Sequence, residues 1–393
     1  MQQQSATYLP VNWTDGMKIN KDHFRAEQQA YNWQQAQHSG ALLNGHNYGL
    51  FHSRQSRGSD RQIVLTTDNQ QQVTIRLLTC HAITPGGHLV CFNEGSTARE
   101  DHFMAGIPGL QVPYAQLIAA DTEYYVTLAV NPYDRVPVGQ PNMTETQMRP
   151  PFTAPAYSLQ LIDHRDMPVG GPGSFYLPLG RVRVSEGKVL PDETYIPPCT
   201  TVAAHSALTD AHAGLEHFFS SMELYTLRIQ QKIVQKRQQN NLASVIMEIC
   251  DKMNVYMSGE YQRVLLEYQQ RPPVCLLTSV AGLARLMKNS IDIYTGAIKD
   301  ELLNYFAEWC SITQGEWESA STAICNFRYD HLNIREALQQ VEGFTQLTLR
   351  LFMSLASLEY IGKKREAGIF VKEHLVVPGE EMQVARRKSF LAD

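Results

Sequence analysis

Two different spacings of hydrophobic residues divide the chain. From about Leu9 to Thr201, short apolar runs rich in β-branched and aromatic residues lie between turn formers. Gln62-Ile63-Val64-Leu65, Val73-Thr74-Ile75-Arg76-Leu77, Tyr124 to Val130 and Arg181-Val182-Arg183-Val184 are examples. Such runs predict strands, and many of them separated only by loops predict a sandwich or barrel. One helical stretch, about Asp22 to Gln37, interrupts them. From about His205 onward proline nearly vanishes and the spacing becomes seven. Leu208, Leu215, Met222 and Ile229 recur with Ala211, Phe218 and Tyr225 in the complementary places, and Val341, Thr348 and Leu355 alternate with Phe344, Leu351 and Leu358. These are seams of helices facing other helices.

Further helices are expected at about Leu242–Gln270, Pro273–Asn289, Ile291–Cys310 and Gly315–Ile324. Pro273 suits the first position of its helix. Asn333 followed by Glu336 has capping-box spacing and predicts the start of the last long helix. The fold class is therefore α+β and multidomain: an N-terminal β-sandwich shell over residues 1–200, an α-helical bundle over 205–365 and a short tail over 366–393. Phe219, Leu224 and Leu227 on the first long helix, and Leu347, Leu349, Phe352 and Met353 on the last, are apolar off the seam. Either these helices sit centrally in a large bundle, or the bundle packs against copies of itself.

Composition narrows the function classes. Of 393 residues, 34 are basic and 39 acidic, for a net charge of -5. That sign and balance argue against extended nucleic-acid binding. The start, Met1-Gln2-Gln3-Gln4, has no basic and apolar pattern of a secretory signal, and no eighteen apolar residues run together. Seven cysteines without a CxxC suggest reduced thiols. A soluble, cytoplasmic protein is expected.

The common catalytic signatures are absent: no GxxxxGK[ST] loop, no GxSxG elbow, no HExxH pair. His164-Arg165-Asp166 copies the start of a kinase catalytic loop, but Gly171 stands where the metal-binding Asn belongs, so a turn between strands is predicted. Gly170-Gly171-Pro172-Gly173 is a poor phosphate cradle, because Pro172 removes a backbone N–H. Thr84-Pro85-Gly86-Gly87 predicts a hairpin turn. Taken as a four-residue loop, it pairs Ile83 with His88 and sets Cys80 opposite Cys91, two buried thiols with His81 on the other face. Zinc ligation from this hairpin is thereby disfavoured. His212 and Glu216 share a helical face, as an exposed pair. No catalytic, cofactor-binding or metal-binding residues are assigned, and a non-enzyme is expected.

Three stretches carry a family resemblance. Val11-Asn12-Trp13-Thr14-Asp15-Gly16-Met17-Lys18-Ile19, followed by Asp22-His23-Phe24 and a Gln-rich helix, resembles the opening of TssK, the baseplate subunit of bacterial type VI secretion systems. Arg271-Pro272-Pro273-Val274-Cys275-Leu276-Leu277 before Val280-Ala281-Gly282-Leu283 is similar to the family's Pro-led bundle helix. Arg328-Tyr329-Asp330-His331-Leu332-Asn333 resembles its Tyr-Asp-His approach to the last helix. Order and separation match over residues 11 to about 361.

The resemblance implies a homotrimer with a β-sandwich shell and a helical neck, lying in the cytoplasm at a baseplate apposed to the inner membrane. It implies docking onto TssF- and TssG-like wedge proteins, an unidentified membrane-complex protein as a further partner, and no catalysis, cofactor, nucleic acid or small-molecule substrate. By position, Trp13, Asp15, Gly16, His23 and Phe24 belong to the wedge-docking region; alternatively Trp13 and Phe24 pin the first helix to the shell. Leu215, Phe218, Met222, Val341, Phe344, Leu351 and Leu355 hold the neck together, within or between subunits. About thirty residues follow Arg365, too few for the family's separate head domain, so a shortened member is expected. Two other classes stay open: a phage-tail-like receptor-binding or baseplate protein, and a hydrolase with a helical lid.

Overall fold

A computed structural model gives the fold, and it describes residues 8–52, 61–67, 72–93, 109–115, 117, 122–139, 141, 146, 148–168, 170–185, 188–362, 365–366 and 369–370. Lys363, Lys364 and nearly all of the expected tail, including its basic cluster Arg386-Arg387-Lys388, lie outside the described residues.

Among the described residues helix α1 (Lys21–Gly40) comes first, followed by nine strands. These are β1 (Gly49–Leu50), β2 (Arg61–Thr67), β3 (Gln72–Ile83), β4 (Leu89–Asn93), β5 (Gly109–Pro113), β6 (Glu123–Val138), β7 (Phe152–Asp163), β8 (Tyr176–Ser185) and β9 (Lys188–Pro191). Long β3 is the spine of one antiparallel sheet, with β1 and β2 along one side and β4 and β5 along the other. The second sheet runs β7-β6-β8-β9, also antiparallel. Val73, Ile75 and Leu77 of the first sheet share one buried cluster with Leu128, Leu177 and Leu179 of the second. Alternation along β3 puts Val73, Ile75 and Leu77 into that cluster and leaves Thr74 and Arg76 outside it.

The β3–β4 hairpin departs from the expected register. Thr84 N–H donates to the His88 carbonyl at 3.0 Å, and Gly87 N–H donates to the Thr84 carbonyl at 2.9 Å. The loop is thus three residues, Pro85-Gly86-Gly87, with Gly87 at φ +81° in the left-handed position such loops need. Ile83 pairs with Leu89 rather than His88, and Cys80 pairs with Phe92 rather than Cys91. A one-residue slip exchanges faces. Cys80 is buried and Cys91 is exposed, so the expected pair of buried thiols does not exist. A bulge at Leu78, where Gln62 pairs with Thr79 but Ile63 with Leu77, is what turns Cys80 inward after the inward run Val73, Ile75, Leu77.

Among the described residues six helices follow: α2 (Ser206–Gln235), α3 (Asn241–Leu266), α4 (Val274–Asp292), α5 (Ala297–Cys310), α6 (Gln314–Asn326) and α7 (Ile334–Ser357). Ile291, expected to open α5, instead belongs to α4, and the break falls at Gly296, where φ is +60°. Asn333 does precede α7, but its side chain makes no cap bond; a reciprocal capping box forms instead at the start of α6, between Thr313 and Glu316. Every seam residue of α2 and α7 named above as a neck residue is buried within the single chain. Helix α7 packs against α2, α4, α5 and α6, so its broad apolar circumference, Leu347 and Phe352 included, is that of a central helix. Leu224 and Leu227 of α2 and Met353 of α7 remain about half-exposed.

The end of α7 is fastened by its neighbours. Lys232 of α2 donates from Nζ to the carbonyls of Ala356 at 2.7 Å, Leu355 at 3.3 Å and Leu358. A cation is well placed there, where the last carbonyls of a helix lack partners. Beyond it, Ile361 N–H donates to Gln238 Oε1 at 3.0 Å, Asn240 Nδ2 donates to the Ile361 carbonyl at 2.9 Å, and Gly362 N–H donates to the Tyr305 hydroxyl at 3.1 Å. Lys232→Met keeps the stem and removes the charge. It is expected to cost about 2–3 kcal/mol, the range for losing charge-assisted bonds, seen as a lower urea midpoint with an unchanged slope.

Candidate functional site

Two places gather the residues that the sequence singled out, and they differ in kind. The first is the surface made by residues 9–31. Met17 N–H donates to the Thr14 carbonyl at 3.2 Å, closing a turn with Gly16 at φ +78° in its third position, the left-handed place of a type II turn. Asn20 then caps α1: its Oδ1 accepts from Asp22 N–H at 2.9 Å and His23 N–H at 3.2 Å, while His23 Nδ1 accepts from Asn20 N–H at 3.2 Å. Histidine here fills the role usually taken by Glu or Gln in a capping box. Val11 N–H donates to Glu27 Oε2 at 2.8 Å and ties the leading segment back onto the helix.

This frame places Trp13 6.0 Å from the His23 ring and 6.2 Å from the Phe24 ring. Trp13 is 45 % exposed and Phe24 is 61 % exposed, so neither pins α1 to the sheets. What holds α1 is its other end. A Cβ on Gly87 would overlap the Ala36 carbonyl oxygen, which means the β3–β4 turn lies directly on the helix backbone, and Ala30 and Ala36 are buried beneath. Leu9, Ile19 and Tyr31 are also exposed, and Asp15 and Gly16 lie in the exposed turn. Trp13, half-buried His23 and Phe24 thus cluster at the start of α1, next in sequence to the exposed turn that holds Asp15 and Gly16.

The second place is the junction between the sheets and the helices, which the sequence did not reveal as a site. Strand β1 lies between β3 and the segment that leads into α2. Leu50 N–H donates to the Pro198 carbonyl at 2.8 Å and Thr200 N–H donates to the Leu50 carbonyl at 2.7 Å. Gly49, at φ +108°, has no room for a Cβ against Pro198. Two of the family-like stretches converge here. The Arg271 carbonyl accepts from Val202 N–H at 2.9 Å, and His331 enters from the segment before α7 to reach Tyr48. Burial lowers the proton affinity of His331 to about 4, and burial with the nearby Arg61 charge does the same for His205, the N-cap of α2. Burial and the Asp330 charge push the Tyr48 phenol up to about 12. The signal available in the sequence was the unusual run Tyr329-Asp330-His331, but its partner lies 283 positions away.

The remaining candidates are structural. His164–Asp166 is a short 3-10 turn after β7, with Arg165 bonded to Asp163. The Gly170–Gly173 loop leads to Ser174, whose carbonyl accepts from Gly86 N–H at 2.9 Å and braces the β3–β4 turn. His212, expected at the surface beside Glu216, is buried: Nε2 is 2.8 Å from the Val264 carbonyl and Nδ1 is 3.4 Å from Glu216. A cleft of about 500 Å³ between α4, α5 and α6 contains Lys288 and Lys299. Both lysines are paired with Asp292. Among the described residues no three His, Cys, Asp or Glu side chains cluster as a metal site, and no helix is long and apolar enough to cross a membrane.

No family model and no curated protein matches the sequence. Solved structures do. A crystal structure of TssK matches at 14 % identity and a TM-score of 0.48, over 86 % of this chain and 68 % of that one. A chain of a type VI secretion TssK-TssF-TssG baseplate subcomplex seen by cryo-electron microscopy matches at 15 % identity and a TM-score of 0.45, over 88 % of this chain and 100 % of that one. A type VI secretion baseplate complex matches at 13 % identity and 0.46, over 88 % and 100 %. At such scores the likeness carries no weight for function.

Proposed function

We propose that the protein is a structural, non-catalytic component of a type VI secretion baseplate, a homotrimeric adaptor that docks TssF- and TssG-like wedge proteins and links them to the membrane side. The observation that carries this reading is the exposed patch of Trp13 and Phe24, set by the Gly16 turn and the Asn20–His23 cap on a stretch that resembles the TssK opening. Residues 1–200 serve as the shell and 205–365 as the neck. In this reading Asp15 and His23 act by shaping the patch, and the partner buries the two rings. Because Leu215, Phe218, Met222, Val341, Phe344, Leu351 and Leu355 are already buried within one chain, subunit contacts fall to outward residues such as Leu224, Leu227 and Met353.

Co-expression with the wedge-like products of neighbouring genes tests the docking surface. Central aromatic residues of an interface contribute about 2 kcal/mol or more each, roughly a thirtyfold change in affinity. The double change Trp13→Ala with Phe24→Ala is expected to abolish co-purification while leaving the melting temperature within about 3 °C, since both side chains face water. Recovery of the complex undiminished by the double change refutes the patch. A wild-type mass of one subunit in light scattering at high concentration refutes the trimer.

A further inference from the structure

His331 is 4 % exposed and joins the two halves of the molecule. Its Nε2 lies 2.9 Å from the Tyr48 carbonyl oxygen and its Nδ1 lies 2.9 Å from the Tyr329 hydroxyl. A carbonyl only accepts, so Nε2 carries the hydrogen and Nδ1 receives the Tyr329 O–H. A second proton on Nδ1 would turn that hydroxyl away and leave a cation in a closed aromatic setting, with the Tyr48 ring 4.7 Å and the Tyr329 ring 5.8 Å distant.

The groups around it do not offer compensation. From the segment before β1 come Tyr48 and His46, and a charge on His46 opposes one on His331. From its own segment come Tyr329 and Asp330; the Asp330 carboxylate accepts from Leu332 N–H at 3.0 Å, and its charge acts on the Tyr48 and Tyr329 phenols and is not among the influences on His331. Cys199, from the segment leading into α2, and Cys275 of α4 face Tyr329. Tyr195 stands behind Tyr48, and next to it is the buried guanidinium of Arg61.

We propose that His331 is an acid-sensitive latch: neutral, it holds the sheets on the helical half; protonated, it releases them, while each half keeps its own fold. This goes beyond the baseplate reading and does not depend on it. The proton affinity of His331, about 4 in the closed form, returns to the ordinary value near 6.5 once the ring meets water. Above pH 6.5 both forms are neutral and the latch is at full strength. As pH falls from there toward 4, the released form binds the proton more tightly, and at pH 4.5 its population has risen about 80-fold.

Hydrogen exchange on the full chain, corrected for intrinsic rates, tests this between pH 7 and 4.5. The Leu50 and Thr200 amides report the junction, and those of Leu128, Phe218 and Phe344 report the two halves. The wild type is expected to lose at least about 60-fold of protection at the junction amides, with less than twofold change elsewhere. His331→Gln, which keeps a donor and cannot gain a proton, is expected to lose the about 60-fold that His331 contributes, whereas His205→Gln, which removes the other buried histidine of the junction, retains it. Flat junction amides in the wild type, loss of protection in all amides together, or His331→Gln behaving as the wild type overturns the latch. Should His331→Gln fail to fold, ring-hydrogen exchange of wild-type His331 decides: a midpoint at or below 5 supports the latch, and one near 6.5 overturns it.

Discussion

Leu351→Asp is expected to unfold the helical half. Leu351 is 1 % exposed and sits on α7, the helix with α2, α4, α5 and α6 around it. The substitution removes a buried side chain that contributes about 2–3 kcal/mol and replaces it with a carboxylate that has no partner there. The combined loss exceeds about 5 kcal/mol, a large part of the stability of an ordinary domain. Far-UV circular dichroism at 25 °C should show most of the helical signal gone, whereas Leu351→Met, of similar volume, should cost under about 1.5 kcal/mol. Retention of the wild-type helical signal by Leu351→Asp would mean that α7 is not the centre of the bundle.

Gly49→Ala is expected to act at a distance from any bundle contact. The backbone there has φ +108°, and a Cβ would overlap the Pro198 carbonyl. The left-handed strain costs about 1–3 kcal/mol and the forced separation a similar amount, about 4 kcal/mol together. The β1 strand has no other place to go, because it is held by β3 on one side and by Pro198 and Thr200 on the other. Limited proteolysis should then cut between the sheets and α2, releasing a protease-resistant helical fragment. An intact, protease-resistant chain with a wild-type melting temperature would show that the junction tolerates the extra atom.

The helices were legible because their signal is local and repeats. Leu208, Leu215, Met222 and Ile229 are all buried, as their spacing of seven requires. The strands were legible for the same reason, but their register was not. It depends on a bulge at Leu78 and on a loop one residue shorter than assumed, and neither leaves a mark in the alternation of apolar residues. Residues 13–24 were singled out only through the family resemblance. Spacing alone could not tell whether Trp13 and Phe24 face the sheets or the solvent. His331 and His212 were missed because a buried histidine is defined by distant carbonyls, those of Tyr48 and Val264. Sequence neighbours carry no trace of such partners.

The fastening of residues 358–362 has a mechanical consequence. A pull applied to the chain beyond Gly362 does not peel α7 away from its C-terminal end. Lys232 and Gln238 pass it to α2 and the turn after it, Asn240 to the start of α3 and Tyr305 to α5, so several bonds in three places are strained at once. Bonds loaded together in shear must fail together, whereas bonds peeled open fail one at a time. The far end of the bundle is therefore a load-spreading anchor, which gives whatever follows Gly362 a stiff connection to the whole helical half.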